Sequence, residues 1–152
     1  MANLVYYVPL DAISVTTDTD QDIFEIVAAA SKRVILHGFS LTSAYTTDER
    51  VRLRLMQRTT TGTGGSGLTE VAADDGNDTA ATAAVSSLVT TPGTAGDILA
   101  GFQWSQQGEL LFLPTPEMRP VVAKSARIAL NVNTTGVAST RVWSGWVCWE
   151  EM

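Results

Sequence analysis

The sequence predicts an all-β fold, an antiparallel β-sandwich or jelly roll in a single domain. Three observations carry that expectation. Apolar and polar residues alternate with a period of two along Glu49–Thr59, ERVRLRLMQRT, and again along Arg127–Val132. Short β-branched and aromatic runs recur roughly every ten residues with turn signals between them. Regular alternation of helices with strands is absent, and no internal repeat stands out.

Residues 1–22 read as an arm or a first strand with a polar connection, and residues 23–152 as the sandwich. Leu4-Val5-Tyr6-Tyr7-Val8 is extended in character, with apolar residues on both faces. It is either a sheet strand or an arm that ties down on another subunit. Thr16–Asp22 is polar. Ile23–Ala30 reads as a strand because Ile23-Phe24-Glu25-Ile26-Val27 is bulky and branched, although its alanines leave a short helix open. Val34–Thr42 is a strong strand whose Gly38 suggests a bulge or a close backbone approach.

In Glu49–Thr59, Val51, Leu53 and Leu55 face one way and Arg50, Arg52, Arg54 and Arg58 the other. Four arginines on one strand face suit contact with carboxylates, within the subunit, in a neighbour or on a large partner surface. A solvated face with local ion pairs is the alternative. Composition then shifts. Thr59–Gly67 is Gly-rich, and the stretch of about 60–96 reads as a long excursion of low hydrophobicity. Within it, Asp78–Val85 suits a short helix and Thr82–Thr90 an edge strand, and the two stay open.

Ile98–Trp104 and Glu109–Leu113 read as a hairpin about the turn Gln106-Gln107-Gly108. Pro114, Pro116 and Pro120 impose an extended, irregular path. In Arg127–Val132 the residues Ile128, Leu130 and Val132 point inward. Asn133–Ser139 is a turn. Thr140–Glu150 is apolar on both faces, so that strand is central or covered. Trp143 and Trp149 share one of its faces and Trp146 takes the other. One set fills the core, and the other needs cover from the second sheet or another subunit. Tryptophan and arginine are enriched at interface hot spots, which makes Trp143 and Trp149 interface candidates.

Composition narrows the functional classes. The chain has 152 residues, is 45% hydrophobic and 17% charged, and so has room for a sizeable core and no signature of disorder. A net charge of −6 and a pI near 4.6 argue against nucleic acid, and the arginine strand lacks interleaved aromatics. The lone Cys148 excludes an internal disulfide and reads as a small buried hydrophobe. Met1-Ala2-Asn3 has no basic leader character, and no run is long enough to span a bilayer. The expectation is a soluble protein made in a cytoplasm, with no membrane partner.

Catalytic and metal chemistry finds little support. His37, the single histidine, reads as structural, since no nucleophile-elbow sequence accompanies it. One His and one Cys cannot supply a usual zinc site. Asp18, Asp20 and Asp22 resemble a calcium-loop start, but the sixth position holds Ile23 and the twelfth Ala29. Asp74, Asp75 and Asp78 form a second acidic turn. Thr63–Gly67 lacks the lysine of a phosphate loop. Asn77-Asp78-Thr79 and Asn133-Thr134-Thr135 match a glycosylation pattern that means little without a secretion signal. Glu109 and Glu117 flank the Trp104 region in the manner of a sugar site, but their separation is not given by sequence. No cofactor, metal or catalytic residue is expected.

Five segments, FEIVAAASKRVILHGFSL, RVRLRLMQRTTTGTGGSG, FLPTPEMRPVV, KSARIALNV and GWVCWEEM, give the chain from about Phe24 to Glu151 a resemblance. It resembles small proteins encoded among the structural genes of tailed bacteriophages, of the head decoration or cement type. That resemblance implies a β-sandwich or jelly-roll subunit, a homotrimer, and the major capsid protein as partner on the outside of the head. It implies a rigid body without an active site. The contact candidates are then Leu4, Val5, Tyr6, Tyr7 and Val8, the arginines Arg50, Arg52, Arg54 and Arg58, Trp143 and Trp149, and the excursion Thr60–Gly96. A host-surface or carbohydrate-binding module, using exposed loops and Trp104, is the alternative.

Overall fold

The structure, a computed structural model, describes residues 4–16, 19–74, 76, 79–133 and 140–152. Outside these lie Met1-Ala2-Asn3, Asp18 of the first acidic run, Asp75 and Asp78 of the second, Asn77, and most of the turn Asn133–Ser139.

Twelve strands form among the described residues: β1 (Leu4–Val15), β2 (Asp20–Val27), β3 (Val34–Ser43), β4 (Arg50–Arg58), β5 (Ser66–Gly67), β6 (Val71–Ala72), β7 (Ala84–Val89), β8 (Ala95–Ser105), β9 (Leu110–Phe112), β10 (Val121–Val122), β11 (Arg127–Asn133) and β12 (Arg141–Glu151). They build two antiparallel six-stranded sheets that pack together as a β-sandwich. The first runs β10-β3-β12-β1-β6, with β9 also on β3, and the second runs β5-β7-β2-β11-β4-β8. Among the described residues no helix is long and apolar enough to cross a membrane.

Alternation places the core. Val51, Leu53 and Leu55 of β4 and Ile128, Leu130 and Val132 of β11 are buried on the inner face of the second sheet. Phe24 of β2 meets Phe39 of β3 edge-on at 5.7 Å, joining the two sheets. Gly38 is a close approach, because a Cβ there would lie 2.4 Å from the Phe112 carbonyl oxygen. β12 is central, between β3 and β1, as its two apolar faces require.

β1 resolves the first alternative in favour of a sheet strand. It pairs with β12 from Leu4↔Glu151 to Val15↔Arg141, with a register break between Leu10 and Ile13. Ala12 sits at that break with φ 49°, in the left-handed region. Tyr6 and Val8 are fully buried, and the Tyr6 ring lies 5.8 Å from that of Trp149. An arm reaching out to another subunit is therefore the wrong description of these residues.

Two further expectations are corrected. The stretch of about 60–96 is not one long excursion: it carries β5, β6 and β7 and opens β8, with β7 paired to β2. The strand reading of Thr82–Thr90 holds, as Ala84–Val89. The expected hairpin of Ile98–Trp104 with Glu109–Leu113 does not form, because β8 pairs with β4 in one sheet and β9 with β3 in the other. Phe102 and Phe112 both point inward and meet edge-on at 5.7 Å, so these segments bury aromatic surface against each other instead of sharing a ladder.

Candidate functional site

The arginine row of β4 divides in two. Arg58 is buried and forms a two-pronged ion pair with Asp22, its Nε 3.1 Å from Oδ2, and its Nη1 donates to the Gly93 carbonyl at 3.1 Å. Arg54 donates from Nη2 to Asn131 Oδ1 at 2.7 Å and lies 3.8 Å from Asp20. Asn131 donates in turn to Asp20 and Asp22, both at 2.9 Å. Two of the four arginines thus meet carboxylates of their own subunit. Only Arg50 and Arg52 stay exposed.

The Gly/Thr segment explains why. Residues 59–65 lie over the outer face of the second sheet beside residues 91–94, joined by the Thr63↔Thr91 bridge. Gly62 N–H donates to Glu25 Oε2 at 3.1 Å, and Arg127 Nε donates to Thr61 Oγ1 at 2.6 Å. Burial pushes the Glu25 carboxyl above its ordinary range, and Asp22 adds to the rise, against the Gly62 hydrogen bond and the charges of Arg127 and Arg58. Burial likewise works against ionisation of Glu151. Hydrogen bonds from Ala83, Thr82 and Lys32 outweigh it and leave that carboxyl below its ordinary range.

The tryptophans on β12 follow the expected parity with the faces exchanged. Trp143 and Trp149 are fully buried between the sheets and offer nothing to a partner. Trp143 Nε1 donates to Gln106 Oε1 at 2.9 Å, and its ring meets Trp104 edge-on at 5.1 Å. Trp104 is itself buried, with Nε1 donating to the Gly108 carbonyl, so it cannot serve a sugar site. Glu109, one of its flanking carboxylates, accepts from Ser40 Oγ at 2.9 Å. Period alone separates two faces; it does not say which one meets the second sheet.

Trp146 therefore looks outward, and around it the first sheet presents a hollow of about 300 Å³ lined by Tyr7, His37, Leu113, Pro114, Arg119, Trp146 and Cys148. Tyr7, 43% exposed, meets the Trp146 ring at 6.1 Å and 63°. His37 Nε2 and Glu150 Oε2 are 2.8 Å apart at its margin, the role that pairs the single histidine. Burial raises the Cys148 thiol, and a hydrogen bond with that thiol raises the Tyr7 hydroxyl. Leu4 and Val5, the remaining β1 candidates, are half-buried. Sequence reasoning missed Trp146 as the outward-facing, half-buried tryptophan, although its opposite parity to Trp143 was visible.

A second feature lies along one side of the sandwich. β8, 11 residues long, pairs with β4 alone, and Ile98 and Leu99 on it are exposed. Beside it runs the segment Leu113–Val122, stiffened by three prolines, with Met118 74% exposed. Leu55, Leu99, Phe112, Pro114, Met118 and Pro120 help to line a hollow of about 290 Å³ between them. Among the described residues no group of three or more His, Cys, Asp or Glu side chains is gathered as a metal site would need.

Fold and surface together define a class, the two-sheet antiparallel β-sandwich with an open edge and an aromatic outer face. No protein-family model, curated protein or solved structure matches the chain.

Proposed function

We propose that this chain is a virion structural protein of a tailed bacteriophage, a head decoration protein that binds the outer capsid surface as a homotrimer and stabilises the head. The resemblance of residues 24–151 supports the phage setting. One structural observation carries the role: the side of the sandwich formed by the free edge of β8 and the proline-stiffened segment is apolar and open. Ile98, Leu99, Met118 and Val121 are exposed there. Arg50 and Arg52, opposite Ser105 and Gln103 of β8, add positive charge at one end. Exposed apolar residues grouped on one side mark interaction surfaces, and an unpaired strand edge offers backbone donors and acceptors to a partner. Three copies bound at once would hold firmly through individually modest contacts.

The test is co-sedimentation of the purified protein with expanded capsids, beside its mass by sedimentation velocity. A trimer that saturates the shell supports the reading. Leu99→Asp with Met118→Asp should weaken capsid binding at least ~10-fold, a loss of about 1.4 kcal/mol, with the unfolding midpoint unchanged. A monomer with no affinity for the shell would overturn it.

A further inference from the structure

The hollow on the outer face of the first sheet has a composition that the docking side lacks. Its floor is aromatic: Tyr7 from β1 and Trp146 from β12 meet at 6.1 Å and 63°, so neither ring stacks flat on the other. One ring face of such a pair stays open to a flat ligand. Its margin is polar. The His37–Glu150 pair sits on one side, at 2.8 Å, and Arg119 on another.

Arg119 is the residue that singles the hollow out. Its Nε is shielded from solvent and has no hydrogen-bond partner. Among the described residues the guanidinium forms no ion pair. Like Arg54 Nε, Gln106 Nε2 and Trp149 Nε1 it is out of reach of solvent, so a ligand in the hollow meets the two Nη groups of Arg119 instead. A guanidinium presents a planar fork that matches a carboxylate in two hydrogen bonds. Small-ligand sites combine this type of lining: apolar and aromatic walls with a few placed polar groups, in hollows from about 300 Å³ upward.

We propose that this hollow binds a saccharide ring that carries a carboxylate, a uronic acid in the simplest case. The apolar face of the pyranose lies against Tyr7 and Trp146. Its carboxylate is held by Arg119, and hydroxyls reach the His37–Glu150 pair. Leu113 and Pro114 close the end of the hollow toward the proline-stiffened segment. A neutral sugar gains the aromatic contact but leaves the guanidinium unpaired, so the acidic sugar is preferred. This hollow shares Pro114 with the capsid-docking side and takes Arg119 from the same proline-stiffened segment, but Tyr7, His37 and Trp146 belong to it alone.

The experiment uses the full chain and two probes that differ only at the carboxylate, methyl β-glucuronide and methyl β-glucoside. Binding is followed by saturation-transfer NMR and by titration of tryptophan fluorescence. The glucuronide is expected to bind at least ~10-fold more tightly than the glucoside, in step with one charged hydrogen-bonded contact. Arg119→Gln should remove that preference while leaving weak binding of both. Arg119→Lys should keep part of it, since the charge remains without the planar fork. Trp146→Ala should lose both ligands, and Trp146→Phe should retain them weakly. Thermal unfolding of each variant separates a binding effect from a folding one, because the preference ratio does not depend on stability. Absence of binding by either sugar overturns the proposal, as does equal binding of the two or a preference unchanged in Arg119→Gln. None of these failures bears on capsid co-sedimentation.

Discussion

Arg58 and Asp22 face each other fork to fork on the outer side of the second sheet, Nε to Oδ2 at 3.1 Å, and both are buried. The pair belongs to the fabric of the subunit. Removing one partner strands the other charge out of water. Arg58→Ala or Asp22→Ala should therefore cost about 3–5 kcal/mol, whereas Arg52→Ala, on an exposed side chain of the same row, should stay within about 0.5 kcal/mol. Urea unfolding measures both. Similar costs for Arg52 and Arg58 would contradict the division of the row.

The two buried glutamates should respond to acid in opposite directions. Glu151 has a lowered carboxyl, so the stability it contributes is present above the ordinary carboxylate range and lost as pH falls through its folded value. Glu25 has a raised carboxyl, so its ionisation costs stability as pH rises from the ordinary range through its folded value. Glu151→Gln should thus be destabilising at neutral pH, by about 2–3 kcal/mol, with the deficit shrinking in acid. Glu25→Gln keeps an acceptor for Gly62 and should be neutral or stabilising at pH 7, with no advantage in acid. Unfolding midpoints between pH 3 and pH 7 decide it, and parallel curves for the two variants would refute the assignment.

Deleting residues 4–10 should abolish folding. These residues supply Tyr6, Val8 and Leu10 to the core and cover one side of β12. Each large core side chain lost costs about 2–5 kcal/mol, and three together match the whole stability of an ordinary domain, before the lost β1–β12 pairing is counted. Circular dichroism and near-ultraviolet spectra report the result. A folded truncated chain would restore the arm description.

Gly93 should tolerate no side chain. A Cβ at that position would lie 1.8 Å from the Thr60 carbonyl oxygen, a backbone atom that cannot swing away. Gly93→Ala should cost at least ~2 kcal/mol and loosen the cover over Arg58, while Gly67→Ala, which meets open space, should cost under ~1 kcal/mol. Hydrogen exchange at Gly62 and Thr63 would register the loosening in the first variant and not in the second.

The strands that sequence revealed best are those with the strictest alternation. β4 and β11 show it over their whole length, and β3 and β12 are apolar enough to demand a central place. β7 was harder to see because Ser86 and Ser87 interrupt its apolar residues, and its burial comes from pairing with β2 and from the cover supplied by residues 59–65. The turn at Gln106–Gly108 was legible as a turn. That it crosses between sheets was not, since Phe39, Phe102 and Phe112 become neighbours only once both sheets exist. Of the site candidates, Arg50 and Arg52 are exposed. Trp143, Trp149, Tyr6, Val8 and Arg58 went inside. The hollow at Tyr7 and Trp146 joins residues brought together by the β1–β12 ladder.

By itself the sequence determined the β character of the chain, the two-faced nature of its strands, and the partition of Trp143 and Trp149 from Trp146. Those are local properties, written in the two-residue period of an extended backbone. Which face turned inward, which arginines found carboxylates and which strand was left with an open edge were decided by tertiary structure alone. Each depends on the pairing of segments far apart in the chain, and a side chain becomes core or surface only when a second sheet closes over it.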